Sequence, residues 1–201
     1  MSDNNIGLLT NELSRVFMVN IVPGFISSLP MILALQIKYP NIGLFLQGNT
    51  EVLLILSFII SYSVGVILED VGSNIEGIYC EKQVLKKLVY DSSEGKKRED
   101  IKEEFERRWR DYLKLEITKD KTYVGHKFIH NMVTRLKFEL TVGLSIIICN
   151  ISLYMTADIL NFHIPCFINL VIFVIPYYLI IVESPRTAHS LDNTRKALLD
   201  M

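Results

Sequence analysis

Two adjacent carboxylates, Glu69 and Asp70, are the residues of this sequence best placed to take part in ion chemistry. They follow seventeen uncharged residues, Val52 to Leu68, at the point where an apolar helix changes into a charged segment. A carboxylate pair in that position can bind a cation or line the mouth of a channel. The alternative is structural: the two acids mark the end of the apolar helix and pair with a nearby cation, Arg135, Lys137 or Arg186.

Two polar residues of an earlier apolar segment, Asn20 and Ser27, share one helical face with Pro23, Pro30 and Ala34. Each proline removes a backbone donor, so this helix should be kinked or broken. Because lipid cannot satisfy the freed backbone groups, this face must contact protein or water. The helix therefore packs inside a bundle, lines a pore or bends as a hinge. The candidate pore or ion-contact residues are Asn20, Ser27, Glu69 and Asp70.

Four apolar segments position these residues. They cover approximately residues 16–37, 52–70, 140–157 and 164–182. Seventeen helical residues extend about 26 Å, close to the thickness of the hydrocarbon layer of a bilayer. The pattern predicts an all-α, polytopic membrane protein with four transmembrane helices.

The segment between the second and third spans, residues 74–137, is charged. Sixteen of the 21 Lys and Arg residues lie between Asp70 and Lys137, so this side should be cytoplasmic, together with both termini. Apolar residues at helical spacing, including Ile101, Phe105, Trp109 and Tyr112, predict a helical insert here. The chain then divides into residues 1–73 with spans one and two, the insert 74–137, and residues 138–201 with spans three and four and a short tail.

Two further patterns suggest contacts between helices and with partners. Ser57, Ser61 and Gly65 recur every fourth residue, which places three small residues on one face where a second helix can approach closely. Arg107, Arg108 and Arg110 follow a run of glutamates on the predicted helix of the insert. We expect this helix, or the face from Ile101 to Tyr112, to bind a soluble protein.

The sequence lacks the residue patterns that several kinds of chemistry require. His126 and His130 have the spacing of a metal pair, but no third ligand is evident. Cys80, Cys149 and Cys166 share no short spacing, so core filling is the favoured interpretation. The sequence contains no Gly-rich phosphate loop, nucleophile elbow or kinase signature. We therefore expect no enzyme, no catalytic residue, no metal or other cofactor and no direct contact with nucleic acid.

The order of two spans, a charged helical insert and two further spans, with the run ILEDVGSNIE after the second span, resembles the small four-span membrane proteins of bacterial anti-phage systems. The membrane component of the Kiwa system is one of them. The resemblance implies a homo-oligomeric sensor in the bacterial inner membrane, coupled to a cytosolic effector protein. It transfers no catalytic or ligand-binding residue.

Two functions follow as hypotheses. The first is an oligomeric sensor or signalling scaffold in the lipid bilayer, with a tetramer as the working number of subunits, which couples a membrane event to a cytosolic partner. The second is an oligomeric channel or pore-forming effector that disrupts the membrane potential, with Glu69 and Asp70 near its mouth. A transporter is disfavoured, since four spans leave little room for an alternating-access site.

Overall fold

The computed structural model describes residues 13–91, 98–118, 123–160 and 166–199. Every regular element within these ranges is helical, as the sequence predicts. In chain order the helices are α1 (Leu13–Lys38), α2 (Pro40–Gly48), α3 (Thr50–Ile75), α4 (Glu81–Asp91), α5 (Arg98–Thr118), α6 (Tyr123–Leu160), α7 (Cys166–Tyr177) and α8 (Ser184–Leu199).

Within the described residues, three stretches of helix are long and apolar enough to cross a membrane: Leu13–Lys38, Thr50–Leu88 and Lys127–Ala157. They contain the first, second and third predicted spans, and they give the chain the helix lengths and composition of a membrane protein. The fourth predicted span, residues 164–182, begins outside the described residues and continues as α7.

Helix α1 is the centre of the packing, since it contacts both α3 and α6 along its length. A π-helical turn, Phe17–Ile21, lies directly before Pro23, and the Val22 amide donates to the Phe17 carbonyl five residues earlier. Pro23 has no backbone N–H to donate, and the wider turn before it adapts the helix to this missing hydrogen bond. The expected break is therefore a local change of helical pitch, and the helix continues through the buried Pro30.

Two glycines set the distance between α1 and α3. A Cβ atom at Gly24 would overlap the carbonyl oxygen of Ser61, and one at Gly65 would overlap the carbonyl oxygen of Asn20. The two backbones are thus in direct contact, as small residues at a membrane helix interface allow. The small-residue face of the second span is occupied by the first span of the same chain.

The helices do not stop where the chain changes from apolar to charged. Helix α3 continues through the π-helical segment Glu76–Cys80 into α4, and α7 continues through Tyr178–Glu183 into α8. Helix α6 has 38 residues, about 57 Å, and extends from the charged segment through the whole third span. We call the predicted spans the apolar half, and we call α4, α5, the part of α6 up to Lys137 and α8 the charged half. Three unbroken helical paths connect the two halves.

Two regions contain helices where the sequence pattern indicates none. The connection between the first and second predicted spans contains α2, which packs on α1 and α3. The expected short tail contains α8, which packs on α4, α5 and α6. Its Leu191 is buried in a cluster with Tyr112 and Ile129, so the last helix completes the small core of the charged half.

Candidate functional site at the charged ends of the spans

Glu69 is the centre of a polar cluster that joins the first three spans. Lys137 Nζ donates to Glu69 Oε1 at 2.6 Å, and Arg15 Nη2 lies 3.5 Å from the same oxygen. The Asn20 amide is satisfied when its nitrogen points to Glu69, 3.1 Å from Oε2. We call Arg15, Asn20, Glu69 and Lys137 the Glu69 cluster. It ties α1, α3 and α6 together at their charged ends.

The two acids of the sequence motif have different environments. Glu69 is 21 % exposed and lies between helices, whereas Asp70 is exposed and forms no ion pair with another described residue. Glu69 pairs with Lys137, one of the three cations that the structural alternative names, and with Arg15, which the sequence reasoning did not consider as a partner. Glu69 therefore holds helices together, whereas Asp70 remains accessible.

A second polar cluster connects α6 to the π-helical segment Tyr178–Glu183 and to α8. Arg135 Nε donates to Glu139 at 2.7 Å, and Arg135 Nη2 donates to Glu183 at 2.6 Å. Thr187 Oγ1 donates to the buried Glu139 at 2.9 Å, and Arg186 lies 3.4 Å from Glu183. The sequence reasoning did not single out Glu139 or Thr187. The four-residue spacing of Arg135 and Glu139 is the signal that could have identified this pair.

The interior between the spans contains further polar side chains. Ser27 is buried and its hydroxyl donates to the carbonyl oxygen of Gly24 at 3.0 Å. Ser61 Oγ and Asn150 Oδ1 are buried and have no hydrogen-bond partner among the described residues. Ser57, one turn before Ser61, is half-buried. Asn20 and Ser27 therefore face the inside of the helix bundle, where α1 and α3 are in backbone contact.

The three arginines expected to bind a partner have different environments: two are exposed and one is largely buried. Arg107 is exposed, and Arg110 is 58 % exposed with Glu106 3.9 Å away. Arg108 is 13 % exposed and lies 3.5 Å from Asp192, which is 2 % exposed. Arg107 and Arg110 are accessible, whereas Arg108 is an internal ion-pair partner of α8.

The apolar face of α5 is also covered by α8. Ile101 and Tyr112 are buried, and Arg195 of α8 lies over the Trp109 ring at 3.9 Å. Burial raises the pKa of the Asp192 carboxyl, against the opposing effect of the Arg108 charge, and burial lowers the pKa of Arg195. Part of the face from Ile101 to Tyr112, which is expected to bind a soluble protein, is thus in contact with α8 of the same chain, while Trp109 remains 38 % exposed.

Metal ligands are not assembled in the described part of the chain, where no group of three His, Cys, Asp or Glu side chains could hold an ion. The His126 side chain lies outside the described residues, and His130 is half-buried. Cys80 is buried in the core with Leu136 and Leu140.

Comparison of the chain with protein-family models, with curated proteins and with solved structures gave no significant match.

Proposed function

We propose that the protein is a multi-pass membrane sensor or signalling scaffold, in which a change among the spans is transmitted to the helices of the charged half. The observation that carries the proposal is the position of Glu69. It joins α1, α3 and α6 at the level where two of these helices continue without a break into the charged half. A shift of α1 alters the Glu69 cluster, and rigid continuous helices carry that shift onward.

The setting of the proposed sensor comes from the sequence. Four spans are proposed from the four apolar segments, and a cytoplasmic charged half with both termini is proposed from the charge distribution. The location in the bacterial inner membrane is proposed from the resemblance. Homo-oligomerisation, a cytosolic effector and a role in anti-phage defence are proposed from the resemblance to the four-span defence proteins. Since Ser61 and Gly65 are used within the subunit, the contact between subunits is assigned to outward-facing helices such as α7, whose Phe173, Val174 and Tyr177 are exposed.

Transmission is tested by hydrogen exchange of the full chain in lipid nanodiscs, with Glu69→Gln compared with Asp70→Asn. Glu69→Gln should lower protection in α5 and α8, far from the substitution, because it removes the charge that holds Arg15 and Lys137 together. Asp70→Asn should leave both helices unchanged, since Asp70 forms no ion pair with another described residue. Changes confined to the neighbours of residue 69, or equal changes in the two variants, would contradict transmission.

Partner binding is tested separately by the double charge reversal Arg107→Glu and Arg110→Glu. These two arginines are exposed, so the subunit should keep its fold and its oligomeric mass in detergent. An effector co-purified with the wild-type protein from its native host should be lost from the variant. Arg108 is left unchanged because of its pairing with Asp192.

A channel is the second candidate, and the unpartnered Ser61 Oγ and Asn150 Oδ1 favour it. Buried polar atoms without partners inside a span are where water can enter if the helices separate. Single-channel recording of the purified protein in a planar bilayer distinguishes the two functions. Discrete, ion-selective openings that change in Glu69→Gln support the channel, whereas a silent, well-formed oligomer supports the sensor.

A further inference from the structure

A groove between α4 and α8 has a strongly cationic border. Its volume is about 650 Å³, within the usual range for ligand pockets of roughly 300–1,000 Å³. Lys86 and Lys87 of α4 line one side, and Arg186 and His189 of α8 line the other. No carboxylate is among the residues that line it in the described part of the chain.

The charges in this groove are incompletely neutralised by the protein. Lys86 and Lys87 are exposed and form no ion pair with any described residue, and Arg186 shares Glu183 with Arg135. His189 adds a ring nitrogen, Nδ1, that is buried and has no hydrogen-bond partner among the described residues. Concentrated positive charge of this kind is stabilised by an anion that accepts several hydrogen bonds.

The α8 side of the groove also lies close to the end of the fourth apolar segment. Gly72 meets Leu140 and Gly143 meets Ile180, which places the ends of the second, third and fourth apolar segments at one level. Arg186 is four residues beyond Val182, the last residue of the fourth predicted span. Buried Val84 and half-buried Pro185 provide an apolar surface between the cations. A phosphate group attached to an apolar body matches both parts of this surface.

We infer that this groove binds a phosphate group, with Lys86, Lys87 and Arg186 as its charged contacts. An anionic lipid headgroup and a soluble phosphate compound present the same chemistry, and the experiment distinguishes these two sources. The inference does not depend on the proposed sensor function, because it rests on the groove and not on the Glu69 cluster. Occupancy of the groove would hold α4 against α8 and so affect the packing of the charged half.

The experiment measures binding to the purified full chain in a neutral detergent by thermophoresis. The probes are dioctanoyl phosphatidic acid, dioctanoyl phosphatidylcholine, inorganic phosphate and ATP. The test variant is the double substitution Lys86→Gln and Lys87→Gln. The matched control is Lys82→Gln and Lys102→Gln, which removes the same charge from α4 and α5 on a surface that also contains Glu81 and Glu99. Both pairs are exposed, so the unfolding midpoints should equal that of the wild type.

Removing each groove lysine should weaken binding about fivefold, and removing both should weaken it about 30-fold. Phosphatidic acid binding with that loss, without binding of phosphate or ATP, identifies a lipid headgroup as the source. Binding of phosphate or ATP with the same loss identifies a soluble source. The inference is overturned if no anionic probe binds, if phosphatidylcholine binds as tightly as phosphatidic acid, or if the control variant loses as much affinity as the test variant.

Discussion

Replacing Gly65 with alanine tests whether the backbones of α1 and α3 are in direct contact. The new Cβ atom would overlap the carbonyl oxygen of Asn20. Because the obstacle is backbone, a rotamer change cannot relieve the overlap, and the two helices must separate by about 1 Å or more to reach a normal contact of roughly 3.5 Å. That separation also pulls the Asn20 amide away from Glu69.

The magnitude follows from three contributions. Overpacking of a close interface costs about 1–3 kcal/mol. Loss of the Asn20–Glu69 hydrogen bond costs about 1 kcal/mol more. Alanine in place of glycine within a helix returns up to about 1 kcal/mol. The Gly65→Ala protein should therefore be less stable than wild type by about 1–4 kcal/mol.

Gly77 is the matched control, because it belongs to the same continuous helix and a Cβ atom there meets nothing within 4 Å. Gly77→Ala should keep only the favourable helix contribution. The two variants should thus differ by about 2–4 kcal/mol, which corresponds to roughly 5–15 °C in unfolding midpoint for a chain of this size. The assay is thermal unfolding of the purified full chain in one detergent, followed by helical circular dichroism. A Gly65→Ala midpoint equal to or above that of Gly77→Ala would refute the direct backbone contact.

Three further predictions concern the polar clusters and the last helix. Glu69→Gln should cost about 1–3 kcal/mol in denaturant unfolding, since Lys137 and Arg15 lose their anion, whereas Asp70→Asn should stay within about 0.5 kcal/mol. Leu191→Ala should cost about 2–5 kcal/mol and expose α5 to limited proteolysis; an unchanged cleavage rate would contradict the docking of α8. Because burial raises the folded-state pKa of Asp192, its favourable contribution is complete below about pH 4 and is lost as the pH rises through that raised pKa. The unfolding midpoint of the wild type minus that of Asp192→Asn should therefore decrease as the pH is raised from about 4 to about 7. An increase of this difference would mean that the cations around Asp192 outweigh its burial.

The parts of the fold that could be predicted from sequence are those with a strong periodic or compositional signal. The uncharged run Val52–Leu68 predicts a spanning helix, and a helix with the required length and apolarity is found there. The small residues Ser61 and Gly65 predict a close helix contact, but their spacing does not identify the partner. The structure supplies it as α1, because Gly24 and Asn20 meet these two residues.

The last helix could not be predicted in the same way. Residues 184–199 contain few large apolar side chains. The principal one, Leu191, is buried only because Tyr112 and Ile129, which are distant in the sequence, pack against it. The internal position of Arg108, which the sequence suggested as a residue that binds another protein, could not be predicted for the same reason. Its partner, Asp192, is 84 positions away in the sequence and is brought close by the turn of the chain through α6 and α7. Local patterns identify helices and their apolar faces, but not which face another helix of the chain will cover.

The different environments of Glu69 and Asp70 have a functional consequence. A carboxylate between helices at the end of a span is stable only while its cations stay in place, because an unpaired buried charge costs several kcal/mol. Lys137 and Arg15 come from two different helices, so any rearrangement that separates α1 from α6 removes part of that compensation. The Glu69 cluster is therefore sensitive to the relative position of the spans. This sensitivity supports the proposed sensor more than the proposed channel.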